Sequence, residues 1–295
     1  MRLHDLIPFL LCPYCGYGKL SVKDENLSCH KCSTNFEVIQ GVPVLIKHDE
    51  LSKQEIKQKK WFDNHYSRFS KEEYKLDNWR LSMLKRIFSN VSTKTVGRYL
   101  DIGCGATGYT IIEAARQNGW FSIGIDISLE AMIKAKNLAE KQGVGDKTAF
   151  LVCSAEHLPF KGGFFDYVSA ISLLEHLEDD EKVIEEIYKV LISKGFLYIC
   201  VPNTYWKMWP FLWPIYYYLD KQIGHKRHYS LKSIKNLMEG YILKDFFYNA
   251  HLRKLLEITF EKFGLSSEKR WWEVEKNDID KNPTGIQLNA IFQKG

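Results

Sequence analysis

The chain has 295 residues, 45% of them hydrophobic and 26% charged, and 41 Lys and Arg against 36 Asp and Glu give a formal net charge of +5. This composition is typical of a globular protein and excludes a disordered or fibrous one. The length allows one large domain plus a small one, or two medium domains. The small positive excess does not by itself indicate nucleic-acid binding, because such proteins concentrate basic residues on one face.

We expect a cytoplasmic protein without a secretion signal or a transmembrane segment. Residues 6–11 are too short for the apolar part of a signal peptide. The longest aromatic and apolar run, residues 206–219, contains Lys207, Pro210 and Pro214 and is shorter than the ~20 residues that a membrane span needs. The seven cysteines, four of which lie in Cys-x-x-Cys pairs, favour a reducing compartment over a disulfide framework.

Residues 1–48 form a predicted zinc-ribbon module. Its metal ligands are expected to be Cys12, Cys15, Cys29 and Cys32, because two Cys-x-x-Cys hairpins suit the tetrahedral geometry of Zn²⁺. Four thiolates close the site, so the metal would be structural and would supply much of the stability of so small a module. Iron is an alternative, because Cys-Pro-x-Cys-Gly also occurs in rubredoxins. We expect His4 and His30 to lie on the surface.

Residues 49–94 are interpreted as a helical linker and lid. The stretch 49–60 is polar and charged, as in a linker or a solvated helix. Aromatic residues near helical spacing follow at Trp61, Phe62, His65, Tyr66 and Phe69. These residues predict an aromatic helical stretch before the main domain.

Residues 95–295 alternate between predicted strands and helices. Strands are predicted over 96–102, 120–125, 148–153, 165–171 and 195–201, with helices over 107–118, 128–142 and 179–192. An irregular aromatic insert, 203–229, precedes a helix over 230–238, a strand over 241–248, a helix over 251–263 and a last strand over 285–293. This order predicts an α/β fold with a doubly wound, Rossmann-like, mostly parallel seven-stranded sheet.

A glycine-rich loop follows the first of these strands. Gly103, Gly105 and Gly108 allow a tight turn that brings backbone amides close to a ligand at a helix N-terminus. Asp126 ends the next strand, where a carboxylate can accept hydrogen bonds from both hydroxyls of a ribose. An NAD site, or glycines that serve only the turn, would satisfy these features equally well.

Further residues favour a cationic ligand over NAD. Asp101 directly precedes the loop, and a carboxylate there suits an ammonium group but repels a pyrophosphate. The polar segment Ser154–Phe160 follows the third strand, where it can flank an adenine ring. The string Phe164–Leu177 has an acidic residue, Asp166, near its start, continues as a buried strand and closes with Glu175-His176-Leu177.

In this order and spacing, these strings resemble the class I S-adenosylmethionine-dependent methyltransferases, especially those acting on small molecules, quinones and lipids. The resemblance covers about 95–202. It implies that Asp101 and the Gly103–Gly105 backbone hold the methionine part, Asp126 the ribose, and Ser154–Glu156 the adenine edge. The complete predicted set for the cofactor is Asp101, Gly103, Cys104, Gly105, Gly108, Asp126, Ile127, Ser154, Ala155, Glu156 and Ser172. Residues 169–172 lack the Asn-Pro-Pro-Tyr string of enzymes that methylate base amines, which disfavours that chemistry.

The cysteine module also resembles a known family, the small Trm112-like zinc domains. The resemblance runs over Ile7–Ile46 and includes the string Gln40–Leu45. Members of that family accompany or activate methyltransferases. Some ribosomal RNA methyltransferases also carry a zinc knuckle before the catalytic domain, so an RNA substrate stays an alternative.

The resemblance implies methyl transfer by in-line displacement from an activated donor, for which alignment of the reactants supplies most of the catalysis. A base is required only if the acceptor must lose a proton. The candidates are His176, after the fourth strand, and His225 and His228 in the segment Gly224–Ser230. That segment resembles one that covers the substrate in small-molecule methyltransferases.

The aromatic insert suggests the nature of the acceptor. Its run Tyr205–Tyr218 suits a lid over an apolar acceptor or a peripheral contact with a membrane interface. We therefore predict an enzyme that methylates a small or lipid-like acceptor. The alternatives are an RNA methyltransferase that contacts RNA through the zinc ribbon, and a non-catalytic scaffold that retains the cofactor fold.

Overall fold

The structure of the chain is a computed structural model. It describes residues 3–23, 25–46, 51–67, 83–84, 87–88, 97–118, 120–204, 210–265, 267, 269–270, 273–274 and 278–295. The chain divides into two compact units. Unit 1 comprises Met1–Lys75, Val91–Ser169 and Glu178–Phe196, and unit 2 comprises Leu76–Asn90, Ala170–Leu177 and Leu197–Gly295.

The N-terminal module is built from short elements. They are helix α1 (Leu3–Leu6) and strands β1 (Leu20–Lys23), β2 (Asn26–Cys29), β3 (Asn35–Phe36), β4 (Val38–Ile39) and β5 (Val42–Pro43). Strands β1, β2 and β3 form one small antiparallel sheet, and β4 pairs with β5. Helix α2 (Lys53–Ser67) follows and includes most of the predicted aromatic helical stretch, whereas Phe69 lies outside the described residues.

A seven-stranded, mostly parallel sheet confirms the predicted fold class. Its strands are β6 (Arg98–Ile102), β7 (Phe121–Asp126), β8 (Thr148–Val152), β9 (Phe165–Ile171), β10 (Leu191–Pro202), β11 (Tyr241–Asn249) and β12 (Gln287–Lys294). They are ordered β11-β12-β10-β9-β6-β7-β8, and β11 pairs antiparallel with β12. The strand order reverses between β6 and β9. Ligands of open α/β sheets bind at the carboxyl ends of the strands around such a switch point.

The helices begin and end at residues whose side chains or backbone favour those positions. They are α3 (Tyr109–Asn118), α4 (Leu129–Lys141), α5 (Asp180–Val190), α6 (Trp213–Ile223), α7 (Leu231–Leu237) and α8 (Leu252–Lys262). Ser128 caps α4 by accepting the backbone N–H of Ala131 at 3.2 Å. Ser230 caps α7 in a capping box with Ser233.

Two segments differ from the sequence-based expectation. Helix α5 ends at Val190 and β10 begins immediately afterwards, because the N–H of Phe164 satisfies the Val190 carbonyl. The aromatic insert, expected to be irregular, contains α6. Pro210 lies in a 3-10 turn and Pro214 is the second residue of α6, a position whose N–H has no helical partner, so neither proline interrupts the helix.

None of the helices that the structure describes has the length and apolarity to cross a membrane.

The N-terminal module pairs with the β8 edge of the sheet, within unit 1. Val44 forms a parallel bridge with Val152, the last residue of β8. The N–H of Leu45 donates to the Val152 carbonyl at 2.7 Å. Because β8 is an edge strand, these contacts satisfy backbone groups that could otherwise pair with another chain.

A second set of contacts joins the start of the module to the segment after β8. Leu10 is fully buried and forms an antiparallel bridge with Phe160. The ring of Phe9 stacks on that of Phe164 with centroids 4.3 Å apart. The module is therefore part of the packing of unit 1.

We expect Leu10→Ala to lower the free energy of unfolding of unit 1 by about 2–5 kcal/mol, the usual cost of removing a buried leucine side chain. Hydrogen exchange of the Leu151 and Val152 amides should accelerate, because the loss reaches the sheet edge. Val22→Ala is the control, since Val22 is 37% exposed in the same module. Unchanged exchange in β8 would show that the module folds independently.

Candidate cofactor and metal sites

The glycine loop follows β6 and is tied to the end of β7. Gly103, Gly105 and Gly108 have φ values of +74°, +64° and +48°, in the left-handed region that favours glycine. The N–H of Gly103 donates to the carbonyl of Ile125 at 2.8 Å. A Cβ on Gly105 would lie 3.0 Å from the Tyr66 hydroxyl, so this position also requires a small residue for space.

Asp101 is buried at the end of β6, with 3% of its surface exposed. Its Oδ1 accepts a hydrogen bond from Ser169 of β9 at 2.5 Å, and its Oδ2 accepts one from the hydroxyl of Thr110. The bond to Ser169 crosses the switch point between β6 and β9. Burial raises the pKa of Asp101 to about 7 despite these two bonds. Within the described part of the chain no basic side chain pairs with Asp101, so a cationic ligand group would complement its ionised form.

Asp126 is held at the end of β7 by the backbone. Its Oδ2 accepts the N–H of Gly105 at 3.2 Å, and its Oδ1 accepts the N–H of Ser128 at 3.0 Å. Burial raises the pKa of Asp126 to about 6. Each carboxylate oxygen can accept more than one hydrogen bond, so the group retains capacity for ligand hydroxyls.

The segment after β8 presents buried acceptors. Ser154 donates to Oε1 of Glu55 at 2.6 Å and accepts the N–H of Glu156 at 3.1 Å. The Oε1 atom of Glu156 is buried and has no hydrogen-bond partner among the described residues. Burial and the nearby Glu55 raise the pKa of Glu156. An acceptor of this kind suits a donor such as an exocyclic amine.

Helix α2 contributes contacts that the sequence analysis did not anticipate. Asp63 accepts a hydrogen bond from Ser128 at 2.5 Å, and the carbonyl of Tyr66 accepts one from Lys134. Burial, with a smaller effect from Asp126, raises the pKa of Tyr66. The apolar spacing predicted the helix, but no local pattern shows which of its polar groups reach the glycine loop.

The remaining residues predicted for the cofactor are placed as follows. Cys104 is buried, and its Sγ would lie 2.6 Å from a Cβ on Gly124. Ile127 and Ala155 are partly exposed. Ser172 is exposed directly after β9, with φ of +50°. The contacts of all predicted residues with a cofactor stay predictions.

The three predicted catalytic histidines converge in unit 2. His225 Nδ1 lies 2.7 Å from Oδ1 of Asp220, and His228 Nε2 lies 2.9 Å from its Oδ2. The rings of His176 and His225 are 4.9 Å apart. Burial lowers the pKa of His176 to about 4 and also lowers that of His225. Their proximity agrees with a shared site, and their catalytic role stays a prediction.

The four cysteines of the two Cys-x-x-Cys pairs also converge. Their sulfur atoms lie within 4.8 Å of one another, with Cys12–Cys32 and Cys15–Cys29 distances of 3.6 Å. A Zn–S bond of ~2.3 Å places the sulfurs of a tetrahedron about 3.8 Å apart, so the cluster fits the ion. His30 is exposed, as expected for a surface residue.

Comparisons with known proteins identify the central segment. Residues 100–199 match the family described as "Methyltransferase domain". Norajmaline N-methyltransferase from Rauvolfia serpentina is 40% identical over 106 residues, which are 35% of this chain and 36% of that protein. The 27-O-demethylrifamycin SV methyltransferase from Amycolatopsis mediterranei is 30% identical over 148 residues, which are 48% and 54% of the two chains. This chain therefore spans between about a third and about half of the length of these relatives.

A solved structure resembles this chain over most of its length. Geranyl diphosphate C-methyltransferase from Streptomyces coelicolor A3(2) superposes with a TM-score of 0.59 over 83% of this chain and 99% of that one, at 13% identity. The sheet and this similarity define the class I methyltransferase fold. All the residues predicted for the cofactor, from Asp101 to Ser172, lie within the matched segment 100–199.

Replacing Cys12 and Cys15 together by Ser should release the metal and destabilise the module, since two of four thiolates are lost. Elemental analysis for zinc and iron on the purified full chain measures the loss. Cys200→Ser is the control, because Cys200 is buried in β10, outside the cluster. A metal content equal to that of the unaltered chain would rule out the four-cysteine site.

Asp101 should make the binding of S-adenosylmethionine depend on pH. Because its pKa of about 7 is raised, the carboxyl is partly neutral below pH 7, and a cationic ligand favours the ionised form. Affinity should therefore rise about tenfold from pH 6 to pH 8, with protons released on binding. Asp101→Asn should remove this rise, whereas the exposed Asp146→Asn should keep it. Titration calorimetry in buffers of different ionisation enthalpy measures both effects, and an affinity that falls with pH would contradict the assignment.

Proposed function

We propose that this protein is an S-adenosylmethionine-dependent methyltransferase whose acceptor is a small molecule of apolar, lipid-like character. The observation that carries the proposal is the buried Asp101 carboxylate, fixed by Ser169 and Thr110 at the switch point of the sheet. It lies within the segment that matches the methyltransferase domain family.

The residues around the glycine loop fit the methyl donor. Asp101 and the Gly103–Gly105 backbone would hold its amino-acid part, Asp126 its ribose, and Ser154–Glu156 the edge of its adenine. The partnerless Oε1 of Glu156 suits the exocyclic amine of that base. When bound, S-adenosylmethionine supplies an activated methyl group, so the task of the protein is to position the reactants and to exclude water.

Helix α2 is suited to cover the donor. Glu55 and Asp63 hold it to Ser154 and Ser128, which lie at the carboxyl ends of β8 and β7. Tyr66 lies against Gly105 of the loop. This supports the interpretation of residues 49–94 as a linker and lid, of which α2 forms the covering part.

The comparisons and the aromatic insert support a small, apolar acceptor. The relatives are named for norajmaline, for 27-O-demethylrifamycin SV and, among solved structures, for geranyl diphosphate. In the insert, Phe211, Tyr217 and Tyr218 are 61%, 56% and 63% exposed. Exposed aromatic side chains at this density favour contact with a lipid-like molecule or a membrane interface.

The histidines are placed to serve the acceptor. His176 follows β9 and His225 and His228 follow β10, and ligands of open α/β sheets bind beyond the carboxyl ends of strands. The lowered pKa values of His176 and His225 favour neutral imidazoles, which can accept a hydrogen bond from the acceptor.

Incubation of the protein with S-adenosylmethionine carrying a radioactive methyl group tests the proposal. The acceptors are an organic extract of small molecules and lipids and, separately, total RNA. We expect label in the organic phase, which Asp126→Asn should reduce at least about tenfold, because hydrogen bonds to a charged carboxylate are lost. Asp146→Asn should leave the incorporation unchanged.

The other outcomes would replace the proposal. Label in RNA would establish the RNA methyltransferase alternative. Tight binding of the donor without transfer to either extract would favour the non-catalytic scaffold.

A further inference from the structure

A buried carboxylate and two imidazoles meet in unit 2, apart from the cysteine cluster. Glu175 and His176 lie in the 3-10 turn Leu174–His176 and are 1% and 8% exposed. His225 follows α6, and its side chain is 14% exposed. One possible ligand atom from each of the three residues lies within 4.8 Å of those of the other two.

We propose that Glu175, His176 and His225 bind a divalent first-row transition-metal ion. His225 Nε2 and Glu175 Oε1 are 4.0 Å apart. Bonds of ~2.0–2.2 Å from a metal to imidazole nitrogen and to carboxylate oxygen place the two atoms about 3.4 Å apart at a tetrahedral angle. Binding would therefore draw these two side chains together by about 0.6 Å.

The other polar atoms of the two histidines lie near groups of the kind that neighbour metal-bound histidines. His225 Nδ1 lies 2.7 Å from Oδ1 of Asp220, which favours a proton on Nδ1 and leaves Nε2 to the metal. The ring of His176 hydrogen-bonds to the backbone of Gly224. A ligating histidine almost always donates its second N–H to a carboxylate or a backbone carbonyl in this way.

A buried carboxylate oxygen without a partner also favours a cation at this place. Oε2 of Glu175 is buried without a hydrogen-bond partner, and no Lys or Arg side chain in the described part of the chain pairs with this residue. A metal ion would supply the partner that this oxygen lacks.

The backbone around the three ligands is fixed by hydrogen bonds. The N–H of Lys226 donates to the Glu175 carbonyl at 2.8 Å, and the N–H of His225 donates to the Asp220 carbonyl at 3.0 Å. The Tyr229 hydroxyl donates to the Leu174 carbonyl at 3.1 Å. The ligands are thus held on a rigid frame, as a metal site requires.

The ligand set indicates the class of metal. Two imidazoles and one carboxylate suit zinc, iron, manganese, cobalt or nickel, whereas magnesium and calcium prefer oxygen ligands alone. Three protein ligands leave a coordination position open for water or for an oxygen atom of a substrate. Asp220, His225 and His228 also bring possible ligand atoms within 4.8 Å of one another. Their nitrogen–oxygen distances of 2.7 and 2.9 Å are those of direct hydrogen bonds, however, and are shorter than the separation of two ligands around one ion.

The proposal is tested by titrating with Mn²⁺ the full chain that holds one zinc ion per chain, the amount that the four cysteines take, and following the electron paramagnetic resonance of the free ion. Mn²⁺ prefers oxygen and nitrogen ligands and leaves the four cysteines to zinc. We expect one Mn²⁺ per chain. Glu175→Gln should weaken binding at least tenfold, and Asp220→Asn should weaken it about 10–100-fold through His225. The control is Glu178→Gln, an exposed carboxylate three positions from Glu175, which should bind as the unaltered chain does.

The ligands are then identified by nuclear magnetic resonance. Mn²⁺ should broaden the ring signals of His176 and His225 more strongly than those of the other histidines. Melting curves verify that the variants fold. No bound Mn²⁺, unchanged binding by a folded Glu175→Gln, or broadening spread over all histidines would overturn the proposal. None of these outcomes depends on methyl transfer, so they leave the proposed function to its own test.

Discussion

Carboxylates near the ends of the sheet strands, without basic partners among the described residues, are the constraint around which unit 1 is organised. Asp101 and Asp126 end neighbouring parallel strands, and burial raises their pKa values to about 7 and about 6 from 3.8. Because the folded pKa of each acid lies above that of the unfolded chain, each makes the fold less stable as the pH rises from about 4 through the folded value. A cationic ligand with hydrogen-bond donors would stabilise the ionised carboxylates and so offset this loss of folding stability.

The surrounding residues hold these carboxylates in place without neutralising them. Hydroxyl groups of Ser169 and Thr110 fix Asp101, and backbone N–H groups of Gly105 and Ser128 fix Asp126. Hydroxyl and backbone dipoles orient a carboxylate while leaving its charge for a ligand. Helix α2 and the N-terminal module support the same region, since one contacts the loop and the other pairs with β8.

The sequence predicts what is encoded locally. The glycine loop and the alternation of strands and helices appear where they were expected, and strand Phe165–Ile171 has the predicted bounds. The two Cys-x-x-Cys pairs converge as their spacing predicts.

Features that depend on distant residues could not be predicted. The pairing of Val44 with Val152 joins residues far apart in the chain, and so do the hydrogen bonds of Glu55 and Asp63. The sequence analysis noted Glu175 only as part of the string Phe164–Leu177. It could not predict that Glu175 lies next to His225, because this contact depends on the fold of the segment after α6. Helix α6 was missed because its one proline, Pro214, lies in the first turn, where a helix tolerates it.

The measurement that tests the central claim most directly is a calorimetric titration of the protein with S-adenosylmethionine and, separately, with NAD. The claim is that carboxylates at the loop select a cationic adenosine ligand and repel a pyrophosphate. The account predicts binding of S-adenosylmethionine in a 1:1 complex and no measurable binding of NAD. Binding of NAD with equal or greater affinity would contradict it.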